Sequence, residues 1–424
     1  EKEKAINFYK EALKIDNNYN DALNNLGTIY AQDNEYEKAI DLFNKAILSN
    51  QNNHRSYYNL GTIYQKIKHH DKAIKNFLKS IDIKKIYPQA YNNLGYLYKQ
   101  INDFENSKKC YEIGIQQDPS YALIKMNYGN LLDLMCEHKA AIQLYNSSII
   151  NNPLKLSTRW AKLNTFPLIY KTHNEIKEYN GYFKNEILSL QKFIKSNDLK
   201  QDEILSGLLN STNFYLHYQG IDNTKLQISY ARLIESLTKK IFKEVGKNKE
   251  ISINNKINIG FISPCFIEHS VMNTHKNFIL KLDKKKFNTF VYHVNEETDS
   301  LTKIIEQSTH SFFHNTDIEK LIIKIKTDPL NILVFLDIGM SPMMQVLGSL
   351  RLAPVQINGN AQPITSGFKN MDYVITSDYM EPEGAKEHYT EKLIKLFGSG
   401  QCYDDPKIVI NKVQSNKKTI FFNL

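Results

Sequence analysis

The stretch "YYNLGTIY", residues 57–64, reads as one face of a buried helix with a polar residue set into it. Tyr57, Leu60, Gly61 and Tyr64 are the apolar or small positions that a packed helix presents at i, i+3, i+4 and i+7. Asn59 breaks that pattern. Near copies stand at 23–30 ("LNNLGTIY"), 91–98 ("YNNLGYLY") and 125–132 ("KMNYGNLL"), so that Asn25, Asn59, Asn93 and Asn127 occupy one register. An asparagine inside a helix costs about a few tenths of a kcal/mol relative to alanine. Its return four times asks for a use.

The glycines of these copies, Gly27, Gly61, Gly95 and Gly129, follow one another at intervals of 34 residues. That period, with helix–turn–helix patterning, is the signature of tetratricopeptide repeats. Other positions keep the same step. Small residues recur as Ala39, Ala73, Ser107 and Ala141, and again as Ala46, Ser80, Gly114 and Ser148; aromatics recur as Phe43, Phe77, Tyr111 and Tyr145. The small residues should let paired helices approach closely, and the aromatics should fill the gap to the next repeat, so that stacking buries a continuous core. The opening "EKAINFYKEAL" has Ala5, Tyr9 and Ala12 in the register of a second helix, so the array is expected to continue upstream of residue 1. Residues 1–154 are read as this array. The first helices of such repeats line its concave face, where an exposed amide, being donor and acceptor at once, can pair with any peptide backbone. The four asparagines are therefore read as a ladder for extended polypeptide; the alternative is a purely structural role.

Composition narrows the remaining classes. A chain of 424 residues is too long for one core and suggests about two or three domains. Its 42% apolar and 23% charged residues are those of an ordinary globular protein. The net charge of +9 is scattered among acids rather than gathered into a stripe, and the one lysine run, "DKKKF" at 283–287, reads as a solvated turn; no nucleic-acid partner is expected. No apolar run approaches the roughly 20 residues that span a bilayer. Cys110, Cys136, Cys265 and Cys402 form no C-x-x-C pair, which points to reduced thiols, no metal site and a cytoplasmic location.

From about residue 155 the period is lost, and 155–250 read as a helical connector in which Gly220 is a stop signal. Beyond it, apolar strand-length runs alternate with helical ones: "INIGFIS", "FNTFVYHV", "NILVFLDI", "VQIN" and "DYVITSD" as strands, "THKNFILKLD", "DSLTKIIEQS", "DIEKLIIKIKTD", "PMMQVLGSLR" and "PEGAKEHYT" as helices. This alternation implies a parallel sheet covered on both faces, a Rossmann-like layer with ligand groups beyond the carboxyl ends of its strands. The loops there are "SPCFIEHS" and "NGNAQPITSG". Neither is a nucleotide fingerprint, there is no P-loop, and no two aspartates stand in a D-x-D.

The block "RLAPVQINGNAQPITSGFKNMDYVITSDYMEPEGAKEHYTEKLIKLFGSGQCYDDP", 351–406, resembles the catalytic region of the O-GlcNAc transferase and SPINDLY family, most closely its bacterial members. "APVQ", "P-x-TSG", "MDY", "SDYMEPE" and "HYTEKL" stand in family order; "INIGFISPCFIEHS" is similar to the first catalytic strand and the loop bearing the active-site histidine, and "NFYLHYQG" to the helical connector. The resemblance implies a tetratricopeptide α-solenoid followed by the Rossmann-like lobe, 251–410, of a two-lobed GT-B glycosyltransferase. It implies inverting, metal-independent transfer of a sugar to Ser or Thr of polypeptides, from a nucleotide-sugar, UDP-GlcNAc first, with no further cofactor. His269 falls on the family histidine, as general base or as a group orienting the donor sugar. Gln362, Pro363, Thr365, Ser366 and Gly367 fall on the loop beside the donor sugar. Here the chain departs from the family, with Ala361 and Gln362 before the proline and Phe397 where proline is common. Residues 411–424, ending in "KKTIFFNL", look like the start of a second lobe, so this polypeptide alone is expected to be inactive. The competing reading is a non-catalytic repeat scaffold with a decayed α/β lobe.

Overall fold

The structure, a computed structural model, describes residues 1–243, 245, 256–359 and 364–402. The chain divides into two compact units, Glu1–Leu226 and Gln227–Leu424. The expected start of a second lobe, 411–424, lies outside the described residues.

In the first unit, helix α1 (Lys2–Ile15) precedes four helix pairs: α2 (Asn20–Gln32) with α3 (Tyr36–Ser49), α4 (His54–Lys66) with α5 (His70–Ile83), α6 (Pro88–Gln100) with α7 (Phe104–Gln117), and α8 (Ala122–Leu134) with α9 (His138–Asn151). Each helix packs on its partner and on the next pair, and the first helices α2, α4, α6 and α8 also touch one another in succession. The periodic glycines explain the close pairing. A Cβ on Gly61 would lie 2.7 Å from the Phe77 ring, and one on Gly129 would lie 2.6 Å from Tyr145; Gly27 and Gly95 face Phe43 and Tyr111 in the same way. The aromatics thus lie first across the glycine of their own repeat. Tyr111 also stacks onward on an aromatic of the next repeat, Tyr128, with ring centres 5.8 Å apart. The rings also fill the gap to the next repeat, as expected: Phe43 shares a core cluster with Leu60 and Ile63, and Phe77 with Leu94 and Leu97.

Two further periodic features tie the pairs. Ser80 and Ser148 donate to the carbonyls of His54 and Ala122, each 2.8 Å away at the start of the same repeat's first helix. The turn within each pair carries a residue in the left-handed region: Asn34, Lys68, Asn102 and Cys136, all with φ near +60° (59° to 63°). After the array come α10 (Leu156–Leu163), α11 (His173–Ser196), α12 (Gln201–Leu208) and a short 3-10 turn, Phe214–Gln219, closed by Gly220 at φ +67°.

The second unit is a parallel sheet. Helix α13 (Thr224–Ile241) leads to β1 (Ile257–Ser263), α14 (Ser270–Leu280), β2 (Phe287–His293), α15 (Ser300–Ser308), β3 (Ser311–His314), α16 (Ile318–Thr327), β4 (Ile332–Phe335), α17 (Pro342–Gly348), β5 (Val355–Asn358), β6 (Tyr373–Ser377) and β7 (Lys392–Leu396). The order is β3-β2-β1-β4-β5-β6-β7 with every pairing parallel. The order reverses between β1 and β4, the topological switch point where sheets of this kind bind ligands. Phe261, Val291 and Val334 of the central strands pack with Phe266, Met272 and Ile305 into one core.

Sequence periodicity missed two strands and lengthened one helix. β3 and β7 are edge strands of four and five residues, too short to show a period. Exposed Lys392 and Lys395 on β7 blunt one free edge of the sheet. "PEGAKEHYT" forms only a 3-10 turn over Ala385–His388, because Gly384 sits at φ +83° and starts the chain in a new direction. The last helix of the connector stretch, α13, packs on the sheet unit: Tyr230 and Glu235 are buried, and Tyr230 Oη donates to Gln345 Oε1 at 3.3 Å.

Candidate functional site

In the array, Asn25, Asn59, Asn93 and Asn127 are all half-buried on the first helices. They are not equivalent. Asn127 Nδ2 donates to Asn92 Oδ1 (2.8 Å), Asn92 Nδ2 to Asn93 Oδ1 (3.1 Å), and Asn93 Nδ2 to Tyr58 Oη (2.9 Å). One relay therefore crosses three repeats and engages two of the four amides. Among the described residues the side chains of Asn25 and Asn59 have no hydrogen-bond partner. The neighbouring Asn24, unremarked in the sequence, is the buried counterpart of Asn92 and accepts from Ser56 Oγ at 2.9 Å.

In the sheet unit, His269 closes the loop after β1 and stands half-buried as the N-cap of α14. Its Nδ1 accepts from the Val271 N–H at 3.2 Å. The neutral ring consequently carries its proton on Nε2 and presents an N–H outward. The loop leading to it is braced from α15. Asp299 accepts the Glu268 N–H at 2.6 Å while capping its own helix, Thr302 donates to the Phe266 carbonyl at 2.6 Å, and Asn295 Nδ2 donates to the Pro264 carbonyl at 3.2 Å.

Beside this loop, just past β4, lies a carboxylate that sequence reading passed over. Asp337 is 1% exposed, its Oδ2 sits 3.7 Å from Cys265 Sγ, and Oδ1 has no partner among the described residues. Burial pushes the Asp337 carboxyl up to about 7 and, with Asp337 adding, the Cys265 thiol up to about 12. A carboxyl held near neutrality at a switch point can carry a proton that an ordinary aspartate would lose. Between the usual carboxylate value and about 7 the native chain keeps a proton that the unfolded chain has released, so folding stability falls as pH rises through that window. Asp337→Asn should therefore gain on the parent by on the order of 4 kcal/mol between about pH 4 and pH 8. Urea unfolding at several pH values checks this; a pH-independent difference would refute it.

The second expected loop follows β5. Ala361, Gln362 and Pro363 lie outside the described residues. Thr365 and Ser366 are buried and turned toward one acceptor, Glu391. Its carboxylate accepts from Thr365 Oγ1 (2.6 Å), Ser366 N (2.7 Å), Ser366 Oγ and Thr390 Oγ1 (3.0 Å). From the other side Gln227 Nε2 donates to the Ser366 carbonyl at 3.0 Å. Gly367, at φ +73°, lies against α13: a Cβ there would meet the Gln227 carbonyl oxygen at 3.0 Å and Ala231 at 3.1 Å. The close approach that glycine permits is thus to a helix. His269 and this loop share the carboxyl edge of the sheet, two strands apart, and no hydrogen bond joins them among the described residues.

Other residues of the 351–406 block are braces too. Arg351 grips Asp372 with two bonds (2.6 and 3.1 Å), and Asp372 also accepts the Gln356 N–H at 2.8 Å. Gln356 makes four side-chain bonds, to Leu352 N, Ala353 N, Leu350 O and Asn370 O. This block sets the frame that carries the loop. The signal for Glu391 was present as a carboxylate inside "HYTEKL", but nothing local tells a buried glutamate from a solvated one.

Residues 221–408 match the sequence profile of glycosyl transferase family 41. Tetratricopeptide-repeat profiles match 20–86 and 88–121. The chain thus joins a tetratricopeptide array to a region similar to family 41. It is 28% identical over 155 residues to the probable UDP-N-acetylglucosamine–peptide N-acetylglucosaminyltransferase SPINDLY of Arabidopsis thaliana, covering 35% of this chain and 17% of that protein. It is 29% identical over 143 residues to the UDP-N-acetylglucosamine–peptide N-acetylglucosaminyltransferase of Caenorhabditis elegans, covering 32% and 12%. These matches span less than a fifth of either relative. A Thermobaculum terrenum O-GlcNAc transferase mutant shares the fold with a TM-score of 0.57 at 16% identity, over 84% of this chain and 59% of that one. His269 and Asp337 stand beyond the carboxyl ends of β1 and β4, whereas Glu391 precedes β7 at that strand's amino end. No described helix is long and apolar enough to cross a membrane.

Proposed function

We propose that this chain is the acceptor-binding array and Rossmann-like lobe of a bacterial-type protein O-glycosyltransferase. The enzyme transfers a sugar, N-acetylglucosamine first among candidates, from a nucleotide-sugar to Ser or Thr of polypeptides held by the repeats, with inversion, without a metal, and in the cytoplasm. The family-41 match over 221–408, lying on a parallel sheet whose switch point faces the His269 loop, carries the reading. The scaffold alternative has no observation in its favour: the braces around Glu391 and Gln356 are intact. The repeats hold backbone through Asn25 and Asn59, whose amides are open, while Asn93 and Asn127 hold the array together.

The test is incubation of the complete protein with a cell lysate and UDP-GlcNAc or GDP-fucose, followed by mass spectrometry of Ser- and Thr-containing peptides. Sugar on hydroxyl residues supports the proposal; none with either donor refutes it. In peptide titrations, replacing Asn25 and Asn59 together by Ala should weaken binding of extended peptides by about 1–3 kcal/mol, roughly one hydrogen bond's worth each. Unchanged affinity would remove these two amides from the groove.

A further inference from the structure

Along α4 and α6, one turn beyond Asn59 and Asn93, Thr62 and Tyr96 enter a pocket of about 540 Å³. Gln65 and Gln100 bridge its two helices, with Nε2 of the first donating to Oε1 of the second at 3.3 Å. Lys66, Lys68 and His70 line it, and among the described residues no carboxylate does. Neither lysine has a carboxylate partner among those residues. His70 Nδ1 is buried without a partner. The Lys99 ammonium lies 5.2 Å from the centre of the Tyr96 ring. Another pocket of this unit, about 640 Å³, is by contrast lined by both Glu137 and Glu175 beside its lysines.

Lys68 carries a second signal. It stands in the left-handed turn position, φ +59°, that Asn34 and Asn102 fill in the repeats on either side. Asparagine tolerates that conformation far better than a long side chain does. Local folding therefore gains nothing from lysine there, whereas the pocket gains a cation.

We propose that this pocket is a subsite for an anionic side chain, carboxylate or phosphate, of the polypeptide held by the neighbouring amides. It rests on the reading of the array as a polypeptide groove and adds a sequence preference to it. The amides of Asn25 and Asn59 take backbone without regard to side chain; Lys66, Lys68 and His70 select acidic or phosphorylated neighbours of the residue to be modified.

The experiment uses the whole chain and fluorescein-labelled peptides of about a dozen residues: one rich in glutamate, one with glutamine in those places, one with phosphoserine. In polarisation titrations the glutamate and phosphoserine peptides should bind about tenfold more tightly than the glutamine peptide, the scale of two or three partly screened ion pairs. The double variant Lys66→Gln, Lys68→Asn should bind all three with the affinity of the glutamine peptide, and its melting temperature should not fall, since asparagine suits the turn. Equal affinities in the parent, or a preference that survives in the variant, would overturn the subsite while leaving the groove. A single-stranded oligonucleotide that displaces the glutamate peptide at lower concentration than the peptide's own would overturn it in favour of nucleic acid. Failure of every peptide to bind would remove groove and subsite together.

Discussion

Replacing His269 by Asn is expected to lower turnover of the complete protein by about 10²–10³-fold, the scale of one lost donor in a preorganised site, with little change in stability. The geometry sets both halves of this expectation. His269 Nδ1 is spent on the Val271 N–H, so the group offered to a ligand is the Nε2 N–H. For Nε2 to serve as a base, the proton would have to move to Nδ1, donor against donor at the helix start. Under the proposed function, this geometry would have His269 donate to an oxygen of the sugar-nucleotide or acceptor rather than remove the hydroxyl proton. Asparagine is among the best N-caps and keeps the α14 end satisfied, but it cannot reach as far as the imidazole. Turnover with saturating peptide and donor, measured beside the melting temperature, separates the roles. Near-normal turnover would leave His269 only its cap. A turnover loss with a collapsed melting temperature would make it structural.

Glu391→Ala should destabilise the sheet unit by about 3–5 kcal/mol, and transfer should be lost with it. Glu391 is 4% exposed and holds the 365–366 loop through charge-assisted bonds from two hydroxyls and one amide, with a further bond from Thr390. Alanine leaves the Ser366 N–H and the Thr365 and Ser366 hydroxyls buried without their acceptor, and each unsatisfied group costs about 1–3 kcal/mol. Glu391→Gln keeps the shape but turns an amide N–H₂ toward donors, so it should fall between alanine and the parent. Urea unfolding of all three gives the order. An alanine variant as stable as the parent would mean that the loop finds other partners, and Glu391 would lose its place as the brace.

The architecture was legible because its signals are local. A 34-residue step of Gly, small and aromatic residues needs no tertiary knowledge to be seen, and each of its glycines meets the aromatic of its own repeat. Continuous apolar runs such as "INIGFIS" announce buried parallel strands for the same reason. The two strands that escaped, Ser311–His314 and Lys392–Leu396, are edge pieces whose pairing, not whose composition, makes them strands.

The sequence by itself determined that a tetratricopeptide array precedes a Rossmann-like sheet, that four asparagines share one register, and that a histidine follows the first strand. Only the tertiary structure decided what those residues are free to do. Asn93 and Asn127 are engaged because Tyr58 and Asn92, from other repeats or the next position, reach them; Asn25 and Asn59 meet no such neighbour. Thr365 and Ser366 are held inward because Glu391, distant along the chain, arrives beside them from the start of the last strand. A hydrogen-bonding group shows its type in the sequence, but whether its capacity is already spent depends on atoms brought within about 3 Å by the fold.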